Sequence, residues 1–283
     1  MRALVLVLLL THPAPAQVAF RDSTADLGLT GVPSGNVKFA DLDGDGRCDL
    51  VTGDGRPDAS KGPRGHRVFL NVIDQKAPAE FRFVEKTDHG LPRGGSLAFA
   101  DFDADGKLDC LYAPFLNVAV EGYKPPEGLP DGPAICFGQG DGTFSAPLRL
   151  AGIPARPHHV IAVGDVDRDG RLDFWLGSSY KRAPWLVDDS TGIGAGSDLA
   201  LQVDSDARIA FRRVPWPTEA GDFASNPDAA AIPCYGGLIA SLDGSPRPSI
   251  IELGYGRRVN RIWSWRDTAW VNEAPALGFD GDA

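Results

Sequence analysis

The sequence predicts an all-β chain of repeated four-stranded units, and three observations predict it. A nine-residue acidic loop occurs three times in register. Short apolar runs flank every copy. The chain as a whole is rich in turn formers, with 34 glycines and 23 prolines, and shows no long amphipathic helical pattern.

The loops read Asp41-Leu42-Asp43-Gly44-Asp45-Gly46-Arg47-Cys48-Asp49, then Asp101-Phe102-Asp103-Ala104-Asp105-Gly106-Lys107-Leu108-Asp109, then Asp165-Val166-Asp167-Arg168-Asp169-Gly170-Arg171-Leu172-Asp173. Each is D-x-D-x-D-G-x-x-D. Phe39-Ala40, Phe99-Ala100 and Val163-Gly164 precede them; Leu50-Val51, Cys110-Leu111-Tyr112 and Phe174-Trp175-Leu176 follow. A solvated acidic turn explains one such loop, because Asp and Gly both favour turns. Three in register point to a cation. Calcium takes hard oxygen ligands, and carboxylates at positions 1, 3 and 5 converge on one ion. Glycine at position 6 permits the sharp turn that presents the position-7 carbonyl, and the position-9 carboxylate returns from the next strand. The candidate ligands are therefore the side chains of Asp41, Asp43, Asp45 and Asp49, of Asp101, Asp103, Asp105 and Asp109, and of Asp165, Asp167, Asp169 and Asp173. The carbonyls of Arg47, Lys107 and Arg171 complete the three sets. An EF-hand needs a carboxylate at position 12 and flanking helices. Position 12 is Thr52, Tyr112 or Leu176, and the flanks suit strands.

In chain order, Met1-Arg2, the apolar run from Ala3 to Leu10 and Ala14-Pro15-Ala16 read as a secretory signal peptide over 1–16, cleaved near Ala16. The expected location is secreted, periplasmic or at the cell surface, with no membrane span. The repeats fill 17–283, with units near 29–88, 89–150, 151–217 and 218–277 and the start of a fifth at 278–283. The fourth loop, Ser241-Leu242-Asp243-Gly244-Ser245-Pro246-Arg247-Pro248-Ser249, keeps Asp only at position 3. It is expected to keep the hairpin and lose the ion.

Each loop joins strands a and b. Strand c is expected at 66–70, 134–137, 185–187 and 261–263, and strand d at 81–84, 144–148, 211–214 and 269–271. Residues 188–208 in the third unit resist assignment. Four strands per unit match a propeller blade. Cys110 and Cys136 fall on neighbouring strands, which makes a disulfide between them one option and leaves Cys48 and Cys234 over; connectivity cannot be read from spacing.

The three loops, with Phe137-Gly138-Gln139-Gly140-Asp141-Gly142-Thr143-Phe144 as a c–d hairpin, resemble the FG-GAP or VCBS repeats of integrin-α-type β-propellers and their bacterial relatives, including cartilage-acidic-protein-like ones. The resemblance covers nearly all of 18–283 and implies a β-propeller with calcium in three loops. Residues 20–29 resemble an outer d strand that precedes a blade. With a further d strand at 269–276, one is surplus, so the expected ring is incomplete and continues beyond 283. A four-bladed ring with a short tail is the alternative.

In such a blade the a–b and c–d turns share one face. The opposite face gathers Asn36, Arg93, His158, His159 and Tyr235 from d–a connections, with the d–a residues around the central mouth. It also gathers Arg56, Lys61, Arg64, Tyr123, Lys124, Tyr180, Lys181, Arg182, Tyr255, Arg257 and Arg258 from b–c connections. That face suits a protein or glycan partner. His158 and His159 suit a structural or hydrogen-bonding role. Net charge is -10, with no basic footprint for nucleic acid. No G-x-S-x-G or H-E-x-x-H is present, which favours a binder over an enzyme. A polysaccharide lyase or hydrolase on the same scaffold, and a purely structural module, are the competing readings.

Overall fold

In a computed structural model, the residues described are 21–32, 35–53, 65–73, 81–114, 125, 127–156, 158–178, 197–217, 234–254 and 260–279. Among them every regular element is a strand, and the strands form four antiparallel sheets of four. Sheet 1 holds β1 (Asn36–Ala40), β2 (Asp49–Gly53), β3 (Arg67–Ile73) and β4 (Phe81–Lys86). Sheet 2 holds β5 (Ser96–Ala100), β6 (Asp109–Ala113), β7 (Ala134–Cys136) and β8 (Leu148–Arg149). Sheet 3 holds β9 (His158–Gly164), β10 (Asp173–Ser178), β11 (Asp198–Gln202) and β12 (Phe211–Val214). Sheet 4 holds β13 (Cys234–Ala240), β14 (Ser249–Gly254), β15 (Arg261–Arg266) and β16 (Ala269–Asn272). Each is a meander in sequence order, the arrangement of a propeller blade.

The sheets stack face to face, and the period-two alternation of strands decides which side chain fills which interface. Cys110 and Tyr112 of β6 join Leu42, Val51 and Val68 in a core between sheets 1 and 2. Their neighbours Leu111 and Ala113 point the other way, into a core with Phe174 and Leu176 of sheet 3. Trp175, between those two, faces sheet 4 and meets Cys234, Ile250 and Trp263. Burial on both sides explains why the b strands are continuously apolar rather than alternating.

The structure departs from the sequence expectation at three points, one being the d strand of sheet 2, which is Leu148–Arg149 rather than 144–148. The third strand of sheet 3 is Asp198–Gln202, paired to β10 through Trp175↔Leu199 and to β12 through Leu199↔Val214. The segment expected for it, 185–187, lies outside the described residues. Residues 21–29 are not a strand. From 23 to 29 they form a turn, with Leu27 N–H donating to Ser23 O and Leu29 N–H to Thr24 O, both at 2.9 Å. The same turn follows β16: Leu277 N–H donates to Glu273 O at 3.1 Å and Phe279 N–H to Ala274 O at 2.8 Å. Gly28 and Gly278 hold the left-handed position in both, at φ 78° and 66°. The Leu-Gly-apolar motif thus occurs once before an a strand, β1, and once after a d strand, β16.

All four cysteines are free. Cys110 and Cys136 are direct cross-strand partners, whereas Cys48 lies in loop 1 and Cys234 opens β13 of sheet 4. The proposed signal peptide at 1–16 and the segment 280–283 lie outside the described residues.

Candidate metal centre

Each acidic loop connects the first two strands of its sheet and closes on the same register: Ala40↔Asp49, Ala100↔Asp109 and Gly164↔Asp173. Two left-handed residues bend it. Position 6 is glycine throughout, at φ 84°, 86° and 87°. Position 4 is also left-handed, and here Ala104 (φ 58°) and Arg168 (φ 68°) adopt a conformation natural only to Gly44. Backbone strain at two non-glycine residues means that the loop's own hydrogen bonds over-determine its shape.

Those bonds are made by the aspartates. At position 1, Asp41 Oδ1 accepts the Asp45 N–H at 3.1 Å and Oδ2 the Gly46 N–H at 2.9 Å. Asp101 and Asp165 do the same at 2.9–3.1 Å. At position 3, Asp43, Asp103 and Asp167 accept the position-5 N–H. At position 5, Asp45, Asp105 and Asp169 accept the position-7 N–H. The side chains of Arg47, Lys107 and Arg171 fold onto the position-5 carboxylates as ion pairs.

Position 9 differs because it is buried. Asp49 Oδ2 accepts the Leu42 N–H at 2.8 Å, and Oδ1 accepts the Asn71 N–H from strand c at 2.8 Å. Asp109 binds the N–H groups of Phe102 and Gly138, and Asp173 those of Val166 and Gln202. This carboxylate ties the loop to the third strand of its own sheet or, in sheet 2, to Gly138 just beyond it. Burial raises Asp49 above the ordinary carboxylate range and pushes Asp109 and Asp173 to about 6. Asp43 is also raised, by burial and by the neighbouring charge of Asp41.

Carboxylate oxygens gather in all three loops. Asp41, Asp43 and Asp45 bring one oxygen each within 4.8 Å of one another, as do Asp101, Asp103 and Asp109, and Asp165, Asp167 and Asp173. A donor set made only of hard oxygens fits a divalent cation. Position 2 is apolar and buried: Leu42, Phe102 and Val166 are each 3% exposed. Its carbonyl reaches the adjacent sheet, with Leu42 O accepting the Gly142 N–H at 3.2 Å and Phe102 O accepting Gln202 Nε2–H at 3.1 Å. The c–d turns thus share a face with the acidic loops.

On the opposite face, the first strands of neighbouring sheets meet. Ser96 Oγ–H donates to His159 O at 2.8 Å, and the His159 and Tyr235 rings lie 6.1 Å apart. The d–a residues therefore line up from sheet to sheet along the innermost strands. His158 is buried against Asp198, Nε2 to Oδ2 at 2.9 Å, in the structural role expected of it. Asp198 also meets Arg213 at 2.5 Å and Arg156 at 3.6 Å. Burial raises its pKa, but the hydrogen bond and charge of His158, with Arg156 and Arg213, outweigh that and hold it below the ordinary range. The sequence reading missed Asp198; its only signal is a carboxylate heading the apolar run Leu199-Ala200-Leu201. The proposed b–c residues Arg56, Lys61, Arg64, Tyr123, Lys124, Tyr180, Lys181, Arg182, Tyr255, Arg257 and Arg258 lie outside the described residues.

Residues 41–112, spanning the first two loops, match the FG-GAP-like repeat family. Residues 41–112 therefore carry FG-GAP-like repeat sequence. The chain is also similar to integrin alpha pat-2 of Caenorhabditis briggsae, 31% identical over 150 residues, which is 50% of this chain and 12% of the integrin. The matched stretch holds loops 1 and 2, and loop 3 repeats their register beyond it. Among the described residues no helix is long and apolar enough to cross a membrane.

Proposed function

We propose that this protein is a secreted, calcium-stabilised propeller module that binds a protein or glycan on the face opposite its acidic loops. The observation that carries the calcium reading is the threefold recurrence of converging carboxylate oxygens in loops of identical register. Calcium suits them better than magnesium, because it accepts more oxygens in a less strict geometry. The ion in each loop is held by the aspartates at positions 1, 3, 5 and 9 and by the carbonyl of Arg47, Lys107 or Arg171. The fourth loop keeps one aspartate and takes no ion.

The likeness to an integrin α chain supports the binding role and an extracellular setting. The partner face follows from the division of labour between turns. Carboxylates and c–d turns crowd the loop face, whereas the other presents Tyr235, 46% exposed, beside His159. Tyrosine offers an apolar body with a polar tip, a combination enriched at binding hot spots. The test is a glycan array and an extracellular-protein pull-down with the wild type, Tyr235→Ala and Asp167→Ala. Tyr235→Ala should lose the captured partner, and Asp167→Ala should keep it at calcium levels that preserve its fold. The reverse pattern would place the partner on the loop face.

A further inference from the structure

Loop 2 differs from its two counterparts in that a cation from another sheet reaches its position-3 carboxylate. Arg208 lies in the turn between β11 and β12 of sheet 3, yet its guanidinium crosses to sheet 2. Nε donates to Asp103 Oδ2, and Nη2 donates to Asp105 Oδ2 at 3.2 Å. Its Cζ sits 3.8 Å over the ring of Phe137, which fixes the plane of the fork. The Asp103 side chain is only 5% exposed, so Arg208 reaches a sheltered oxygen rather than a surface one.

Asp103 belongs to the oxygen cluster with Asp101 and Asp109. In loops 1 and 3, no ion pair to the position-3 carboxylates Asp43 and Asp167 exists among the described residues. The turn that approaches loop 1 is Gly140-Asp141-Gly142, which carries no basic residue. The decayed fourth loop shows the same substitution completed. There Asp243, also at position 3, is paired by Arg266 Nη2 at 3.1 Å. In this chain an arginine serves a position-3 carboxylate both where the other ligands are gone and where they are intact.

We propose that Arg208 is a tethered cation that competes with the divalent ion for loop 2. This rests on the metal reading above and deepens it by ranking the sites. A guanidinium on Asp103 takes an oxygen the ion would use, and its positive charge repels the ion at close range. Loop 2 is then the weakest of the three sites. Filling it frees Arg208 from Asp103 and loosens one link between sheets 2 and 3. The Gln202 to Phe102 hydrogen bond remains.

Calorimetric titration of the chelator-treated full chain with calcium chloride tests this. The wild type should show two tighter sites and one weaker. Arg208→Gln should tighten the weak site about fivefold, the scale of a partly exposed ion pair given up. Arg208→Lys keeps the charge and should leave it weak. Asp103→Asn should delete the weak class and Asp43→Asn a tight one. In chelator, Arg208→Gln should melt lower than wild type, because Asp103 loses its counter-charge. Three equal sites in the wild type, or a Gln variant that binds no tighter, would overturn the role of Arg208 and leave the metal reading standing. No calcium binding at any site would overturn both.

Discussion

Loops 1 and 4 are the same hairpin with different chemistry. Loop 1 closes on Ala40↔Asp49 and loop 4 on Ala240↔Ser249, with nine residues in each. Loop 4 holds its shape with hydroxyls: Ser241 Oγ–H donates to Ser245 O at 3.0 Å, and the hydroxyls of Ser249 and Ser264 meet at 2.7 Å. Ser249 thereby replaces the tie that Asp49 makes to strand c. Gly244 keeps the left-handed bend at φ 71°, and Pro246 replaces the second one. The hairpin register therefore does not require carboxylates at positions 1, 5 and 9. Their presence in loops 1 to 3 is a surplus of negative charge around one point, which a bound cation would balance.

The largest expected effect is on loops 1 to 3 together. Saturating calcium should raise the melting temperature over chelator by on the order of 10 °C, from about 2.7 kcal/mol per site at a hundredfold excess over Kd. Magnesium should do markedly less. A melting curve that ignores chelator would erase the distinction between the intact loops and the fourth. The next effect separates them singly: Asp43→Ala or Asp167→Ala should lower the calcium stoichiometry by one, and Asp243→Ala should leave it unchanged. Loss of a site on changing Asp243 would show that loop 4 binds an ion after all.

The two hairpins also differ in what stands behind them. The residue two places before the loop packs against the preceding sheet in three cases: Phe99 against sheet 1, Val163 against sheet 2 and Ile239 against sheet 3. Its equivalent in sheet 1, Phe39, is 64% exposed. Residues 17–283 expressed alone should self-associate through such open faces, and Phe39→Ser should reduce this in sedimentation velocity. A wild-type monomer at high concentration would break the argument and favour a closed ring of four.

The acidic loops, the blade-sized meanders and the hairpin kept in the fourth unit were legible because their chemistry is local. Aspartate spacing and flanking apolar runs lie within a dozen residues. The misread parts depend on distant sequence. Asp198–Gln202 became strand c of sheet 3 because Leu199 and Ala200 fill cores against sheets 4 and 2, which nothing near residue 198 announces. Arg208 acts on a residue 105 positions away, with no spacing to betray it. Residues 20–29 resemble an outer d strand in sequence, yet 23–29 form a turn. Its copy at 273–279 was the available signal. The left-handed bend at position 4 was hidden because Ala104 and Arg168 are not glycine.

The smallest effect is a reversal of sign with pH. In the metal-free chain Asp109 and Asp173 titrate near 6 because burial disfavours their charge, against 3.8 for an ordinary aspartate. Between those values the folded chain holds protons that the unfolded chain has released. Their contribution to metal-free stability therefore rises as pH falls from about 7 towards 4. Bound calcium favours the charged form, so in its presence the same residues should lose stability as pH falls. Asp243 behaves oppositely to the buried pair without any ion. Ser245 and Arg266 lower it to about 2, so its contribution is present above 3.8 and lost as pH drops towards 2. It is exposed to solvent, so that contribution is small. His66 and His89 have values lowered by burial, and they destabilise the fold as pH falls below neutrality. The measurement is thus a difference: urea unfolding at pH 5 and 7, with chelator and with calcium, for the wild type and for Asp109→Asn and Asp173→Asn. Each variant should remove part of the stabilisation gained on acidification in chelator. If both kept the wild-type pH dependence in chelator, the position-9 carboxylates would be ionised without metal, and the contrast with Asp243 would fail.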